Sequence, residues 1–77
     1  MTINLRVSAD GQSCLVSGLG LRAAFRLDGL PADWQERAMR PAAQAALGQW
    51  LAAHGVRGKP VPRPAEELRQ LLDEAGG

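Results

Sequence analysis

Few side chains in this sequence could do covalent or metal chemistry. Cys14 is the single cysteine and His54 the single histidine. Cys14 falls on the apolar face of a predicted strand, where a thiol behaves as a small hydrophobe. His54 falls at the end of a predicted helix, where the dipole favours an imidazolium. No group of His, Cys, Asp and Glu residues has ligand spacing, so no metal site is expected. The "GLG" at 18–20 lacks the third glycine and following helix of a dinucleotide fingerprint, and a turn explains it. The chain is therefore expected to be no enzyme, to hold no cofactor and to take no small-molecule substrate.

The arginines are a better lead. Arg6, Arg22 and Arg26 all fall on the outer face of a predicted sheet. Arginine on a sheet can reach phosphate and guanine in a major groove, which makes nucleic acid the alternative partner. The ordinary reading is that a sheet keeps polar residues outward. No aromatic residue joins the arginines, so stacking on single strands is not supported. Leu15 shares that face and fits neither reading. The prolines of "KPVPRP" stand at 60, 62 and 64, without PxxP spacing, so a spacer is expected there. The terminal Gly76-Gly77 follows a helical pattern and reads as a fraying end.

The elements that must position these residues are legible. In "INLRVSADGQSCLV" (3–16), apolar and polar residues alternate on both sides of Asp10-Gly11. A two-residue type I′ turn there pairs Val7 with Cys14, Leu5 with Val16 and Ile3 with Gly18. After a turn in "SGLG", the segment "LRAAFRL" alternates again, with Leu21, Ala23, Phe25 and Leu27 inward. A three-stranded antiparallel meander follows. The helix then opens at "DWQE", where Asp33 and Glu36 match a capping box, and ends near Gly55. Pro41 lies inside it and should kink it; two helices joined near Arg40 is the alternative.

On a helical wheel, Met39, Ala43, Ala46, Leu47, Trp50 and Leu51 form one arc. The opposite arc holds Trp34, Ala38, Ala45 and Ala52 and is also apolar. A helix apolar on two sides has something on both sides. The "RGKPVPRP" segment is expected to be extended, and "PAEELRQLLDEA" to be a short amphipathic helix with Leu68, Leu71 and Leu72 in its stripe. That helix is long-leashed enough to cover the second arc; otherwise the arc meets a partner.

At 77 residues the chain is one domain at most, with a thin stability margin. A lone cysteine gives no disulfide framework and favours a reducing compartment, hence a cytoplasmic location. No signal peptide is recognisable at the N-terminus, and no apolar run is long enough to span a membrane. Eight of the nine basic residues are arginine, which with abundant Ala and Gly suggests a GC-rich bacterial or phage genome. Residues 1–63 carry a net charge of +4, and residues 64–77 one of −3.

The sequence thus predicts an α+β fold: a three-stranded antiparallel β-meander packed against one kinked α-helix, then a Pro-rich linker and a short C-terminal helix. Residues 1–55 form the β-β-β-α core, 56–64 the linker and 65–77 the acidic helix, docked on the core or on a partner. The function expected is non-enzymatic binding of another protein or a second copy of the chain. Trp34, Ala38, Ala45 and Ala52 would form the surface, with Leu68, Leu71 and Leu72 of the last helix. An inhibitor or accessory protein of a phage or mobile element fits that description. The alternative is nucleic-acid binding through Arg6, Arg22 and Arg26.

Overall fold

A computed structural model describes residues 2–76, so Gly77 of the terminal Gly-Gly pair lies outside the described residues. The elements are β1 (Asn4–Val7), β2 (Ser13–Gly18), β3 (Leu21–Arg26), α1 (Trp34–Ala38), α2 (Pro41–His54), β4 (Pro62–Arg63) and α3 (Ala65–Gly76). The fold is α+β. A mixed four-stranded sheet of order β1-β2-β3-β4 is covered by helices on one face.

The first hairpin has the expected register, with Leu5 opposite Val16 and Val7 opposite Cys14. Its turn is of another kind. Gly11 has φ +72°, but Asp10 does not have the positive φ that a type I′ turn requires. Instead the Gly11 N–H donates to the Ser8 carbonyl (3.0 Å), and the Asp10 carboxylate accepts from the Ser8 hydroxyl (2.6 Å) and the Gln12 N–H (3.0 Å). These donors hold the Asp10 carboxyl below the usual carboxylate value, the Ser8 hydroxyl contributing most. The two-residue turn with both φ positive lies in the second hairpin, at Leu19 (58°) and Gly20 (74°).

The helix does not kink at Pro41; it breaks. Proline disfavours the α region for the residue before it, and Arg40 is extended at φ −68°, ψ 148°. Pro41 then opens α2, where its missing N–H costs nothing. The Asp33–Glu36 capping box does not form: Asp33 makes no side-chain cap bond, and Glu36 pairs with Arg40 at 3.2 Å. Gln44 bridges the break instead. Its Oε1 accepts from the Ile3 N–H (2.6 Å), and its Nε2 donates to the carbonyls of Ile3 (3.2 Å) and Ala38 (3.0 Å). At the end of α2, Gly55 is extended and not left-handed. Glycine suits it because a Cβ would stand 2.6 Å from the Leu51 carbonyl and 2.8 Å from Leu21 Cβ.

The segment expected to be a plain linker supplies a fourth strand. Val56 exchanges backbone hydrogen bonds with Arg22 (2.7 and 2.8 Å), and Pro62–Arg63 then runs parallel to β3. Prolines are admissible there because an edge strand need not donate on its open side.

The core lies between the sheet and the helices. Ile3, Cys14, Val16, Ala23 and Phe25 meet Ala43, Leu47 and Leu51 of α2. Helix α3 packs on α1, α2 and β3, and buries Leu68 and Leu72 in the same core. Among the described residues, no helix is long and apolar enough to cross a membrane.

Candidate functional site

The helical surface expected from the wheel is not one surface. The break at Pro41 resets the phase between α1 and α2, so Trp34 and Ala38 do not continue into Ala45 and Ala52. Ala38 is buried, Trp34 is half-buried against the core, and Ala45 and Ala52 are exposed on α2. Leu68 and Leu72 lie in the core, and Leu71 is half-buried beside it. What covers Ala38 and half of Trp34 is the chain itself.

The outer face of the sheet, turned away from the helices, is different. Strand alternation places Arg6, Leu15, Ala24 and Pro62 in one row across all four strands. That row lies in a concavity of about 630 Å³. The hairpin end at Val7–Ala9 bounds one side, and Lys59 and Pro60 the other. Leu15 is half-buried and Ala24 is only 7% exposed, although both face outward. Pro62 beside Ala24 continues this apolar floor, so the odd position of Leu15 has an explanation. Arg6, Arg22 and Lys59 stand around it, and the lining contains no carboxylate.

A second hollow, of about 280 Å³, opens beside the first and shares Arg22, Ala24, Lys59 and Pro60 with it. It exists because residues 57–61 bow away from β3 between the attachments at Val56 and Pro62. Trp50 and His54 form part of its lining, with their rings 4.9 Å apart. The Arg63 guanidinium lies 5.2 Å from the Trp50 ring centroid, within cation–π range. Phe25 supports Trp50 from the core at 5.0 Å. This lining too has no carboxylate.

Charge is distributed unevenly over the chain. Arg26 pairs with Asp28, Arg37 with Asp73, Arg40 with Glu36, Arg63 with Glu67 and Arg69 with Glu66. Among the described residues Arg6, Arg22, Arg57 and Lys59 make no ion pair, and three of these line the concavity. Arg26, expected beside Arg6 and Arg22, is drawn to Asp28 at 3.1 Å and does not line it.

Burial pushes the Cys14 thiol up to about 11, so the thiolate is scarce at neutral pH. His54 is exposed, its ring tilted by 38° against Trp50, without a carboxylate partner among the described residues. Alternation alone locates Arg6, Leu15 and Arg22. Lys59, Pro60 and Pro62 reach the site through a non-local parallel pairing that leaves no periodic signal. Comparison with protein-family models, with curated proteins and with solved structures yields no match for this chain.

Proposed function

We propose that this chain is a non-catalytic protein-binding module that takes an acidic segment of another protein on the outer face of its sheet. The observation that carries this reading is the placement of three cations without an ion-pair partner among the described residues, Arg6, Arg22 and Lys59, around an apolar floor of Leu15, Ala24 and Pro62. Cations without internal partners supply attraction and orientation for an anionic partner. An apolar floor supplies affinity only to a ligand that brings apolar surface with it. A segment with a bulky apolar residue flanked by Asp or Glu satisfies both demands. A phosphate backbone satisfies only the first, and the floor would meet a strongly hydrated surface.

A second copy of this chain is a poorer occupant. Among the described residues most of its carboxylates already serve its own arginines or, for Asp10, its own hairpin, leaving the side chains of Asp33 and Glu74. A module of this kind acts by occupying a partner's surface, as an inhibitor or accessory factor does.

The test is a selection from a displayed random-peptide library on the whole chain, with short duplex and single-stranded DNA assayed in parallel at about 50 mM salt. The expected result is enrichment of net-acidic peptides with one bulky apolar residue. Peptides without charge bias would overturn the proposal. So would DNA binding that survives Leu15→Glu and falls steeply with salt.

A further inference from the structure

We infer that the second hollow, between β3 and the bow at 57–61, is a phosphate-monoester site, and that the acidic partner segment carries the phosphate. The second half of this inference rests on the protein-binding reading above; the first half does not.

The hollow gathers four basic side chains: Arg22, His54, Lys59 and Arg63. Their charge can be apportioned. Arg63 is offset by Glu67, 2.8 Å away. Arg22 and Lys59 have no ion-pair partner among the described residues, so two positive charges are left uncompensated. A single carboxylate offsets one of them. A phosphate monoester carries about −1.5 to −2 at neutral pH and offers three acceptor oxygens, so it matches both charge and donor number. Arginine is also the side chain whose fork fits phosphate oxygens in pairs.

At about 280 Å³ the hollow has room for a phosphate group on a short stem. The stem has somewhere to go, because Arg22, Ala24, Lys59 and Pro60 line both this hollow and the larger concavity. A segment seated on Leu15 and Ala24 can therefore pass a phosphorylated side chain under the bow. The walls are held in place: Val56 and Pro62 fix the ends of the bow to β3, and Trp50 is braced between Phe25, His54 and Arg63.

Trp50 makes the site observable. The whole chain is titrated with inorganic phosphate, and with chloride at matched ionic strength, while the indole N–H signals of both tryptophans are followed by NMR. Trp34, on α1 and away from the hollow, is the internal reference. Phosphate should shift Trp50 saturably, with a dissociation constant on the order of millimolar, and leave Trp34 in place. Arg22→Gln and Lys59→Gln should each weaken the effect by about tenfold. Leu15→Asn, which strips the apolar floor without adding a charge beside Arg22, should leave it intact while abolishing peptide binding, which separates this site from the concavity. A non-saturating shift equal to that with chloride would overturn the site, as would undiminished binding by both folded variants. Among phosphate carriers, a phosphoserine version of a library-selected peptide should bind more tightly than its unphosphorylated form and than a 5′-phosphorylated oligonucleotide. Tighter binding of the oligonucleotide would overturn a protein as the carrier.

Discussion

Removing α3 should unfold this protein or nearly so, and the size of the effect follows from two leucines. Leu68 and Leu72 are 0% and 1% exposed, packed among the side chains of α2 and β3. Burying a leucine contributes about 1.5–3 kcal/mol. Truncation after Arg63 thus withdraws roughly 3–6 kcal/mol from these two side chains alone. A domain of this length has a total stability of roughly 4–12 kcal/mol, at about 0.05–0.15 kcal/mol per residue. The loss is comparable to the whole margin, before counting the bared Phe25 and Leu47. Point variants give a finer reading. Leu68→Ala should cost about 2–5 kcal/mol, with a cavity added to the lost burial. Leu71 is only half-buried, and Leu71→Ala should cost clearly less. The assay is urea denaturation followed by far-UV circular dichroism, comparing midpoints at constant slope. A chain ending at Arg63 with an unchanged midpoint would refute the placement of α3 in the core. So would Leu71→Ala proving costlier than Leu68→Ala.

Three further predictions concern the frame. Gln44→Leu removes the two hydrogen bonds to Ile3 and the one to the Ala38 carbonyl, and at about 0.5–1.5 kcal/mol per bond should cost roughly 1.5–4.5 kcal/mol by the same denaturation assay. Gly11→Val should lower the thermal midpoint, because a β-branched residue resists a φ of +72°, while Asp10→Asn at the neighbouring position should do less. Cys14 predicts an alkaline loss of stability. Its thiol is raised from 9.0 to about 11 in the fold, so the folded state holds the proton more tightly than the unfolded state between those values. Stability from this group is complete below pH 9 and falls as pH rises to 11, by at most about 3 kcal/mol; Cys14→Ala should lack that slope.

What the sequence made legible was what repeats locally. Period-two alternation sets the hairpin register whichever turn closes it. A two-residue turn at Asp10-Gly11 and the observed four-residue loop 9–12, closed by the Ser8 N–H to Ser13 carbonyl bond, are both centred between Asp10 and Gly11, so either leaves Val7 opposite Cys14. The helical wheel failed where it was carried through Pro41. Once Arg40 becomes extended, the phase of α1 no longer predicts that of α2, and the stripe from Trp34 to Ala52 dissolves. Strand β4 was hidden because prolines at 60, 62 and 64 mimic a spacer, and its pairing with β3 is a long-range event. The site depends on that pairing. Arg6 and Arg22 were visible as outward arginines, whereas Lys59 and Pro62 become their neighbours only when the chain returns. Trp50 stands on one apolar arc of the wheel, and its role as a wall of the basic hollow depends on the same return.

The central claim is that the outer sheet face, and not the helical surface, meets the partner. Its most direct test is a fluorescence-anisotropy titration of a library-selected acidic peptide with the wild-type chain, Leu15→Glu and Ala45→Glu. Leu15→Glu places a carboxylate on the apolar floor amid Arg6 and Arg22, while Ala45→Glu alters exposed α2 surface far from it in the fold. Affinity should fall by more than about tenfold for Leu15→Glu and not at all for Ala45→Glu, with both variants folded. Retained binding by Leu15→Glu, with loss in Ala45→Glu, would contradict the claim.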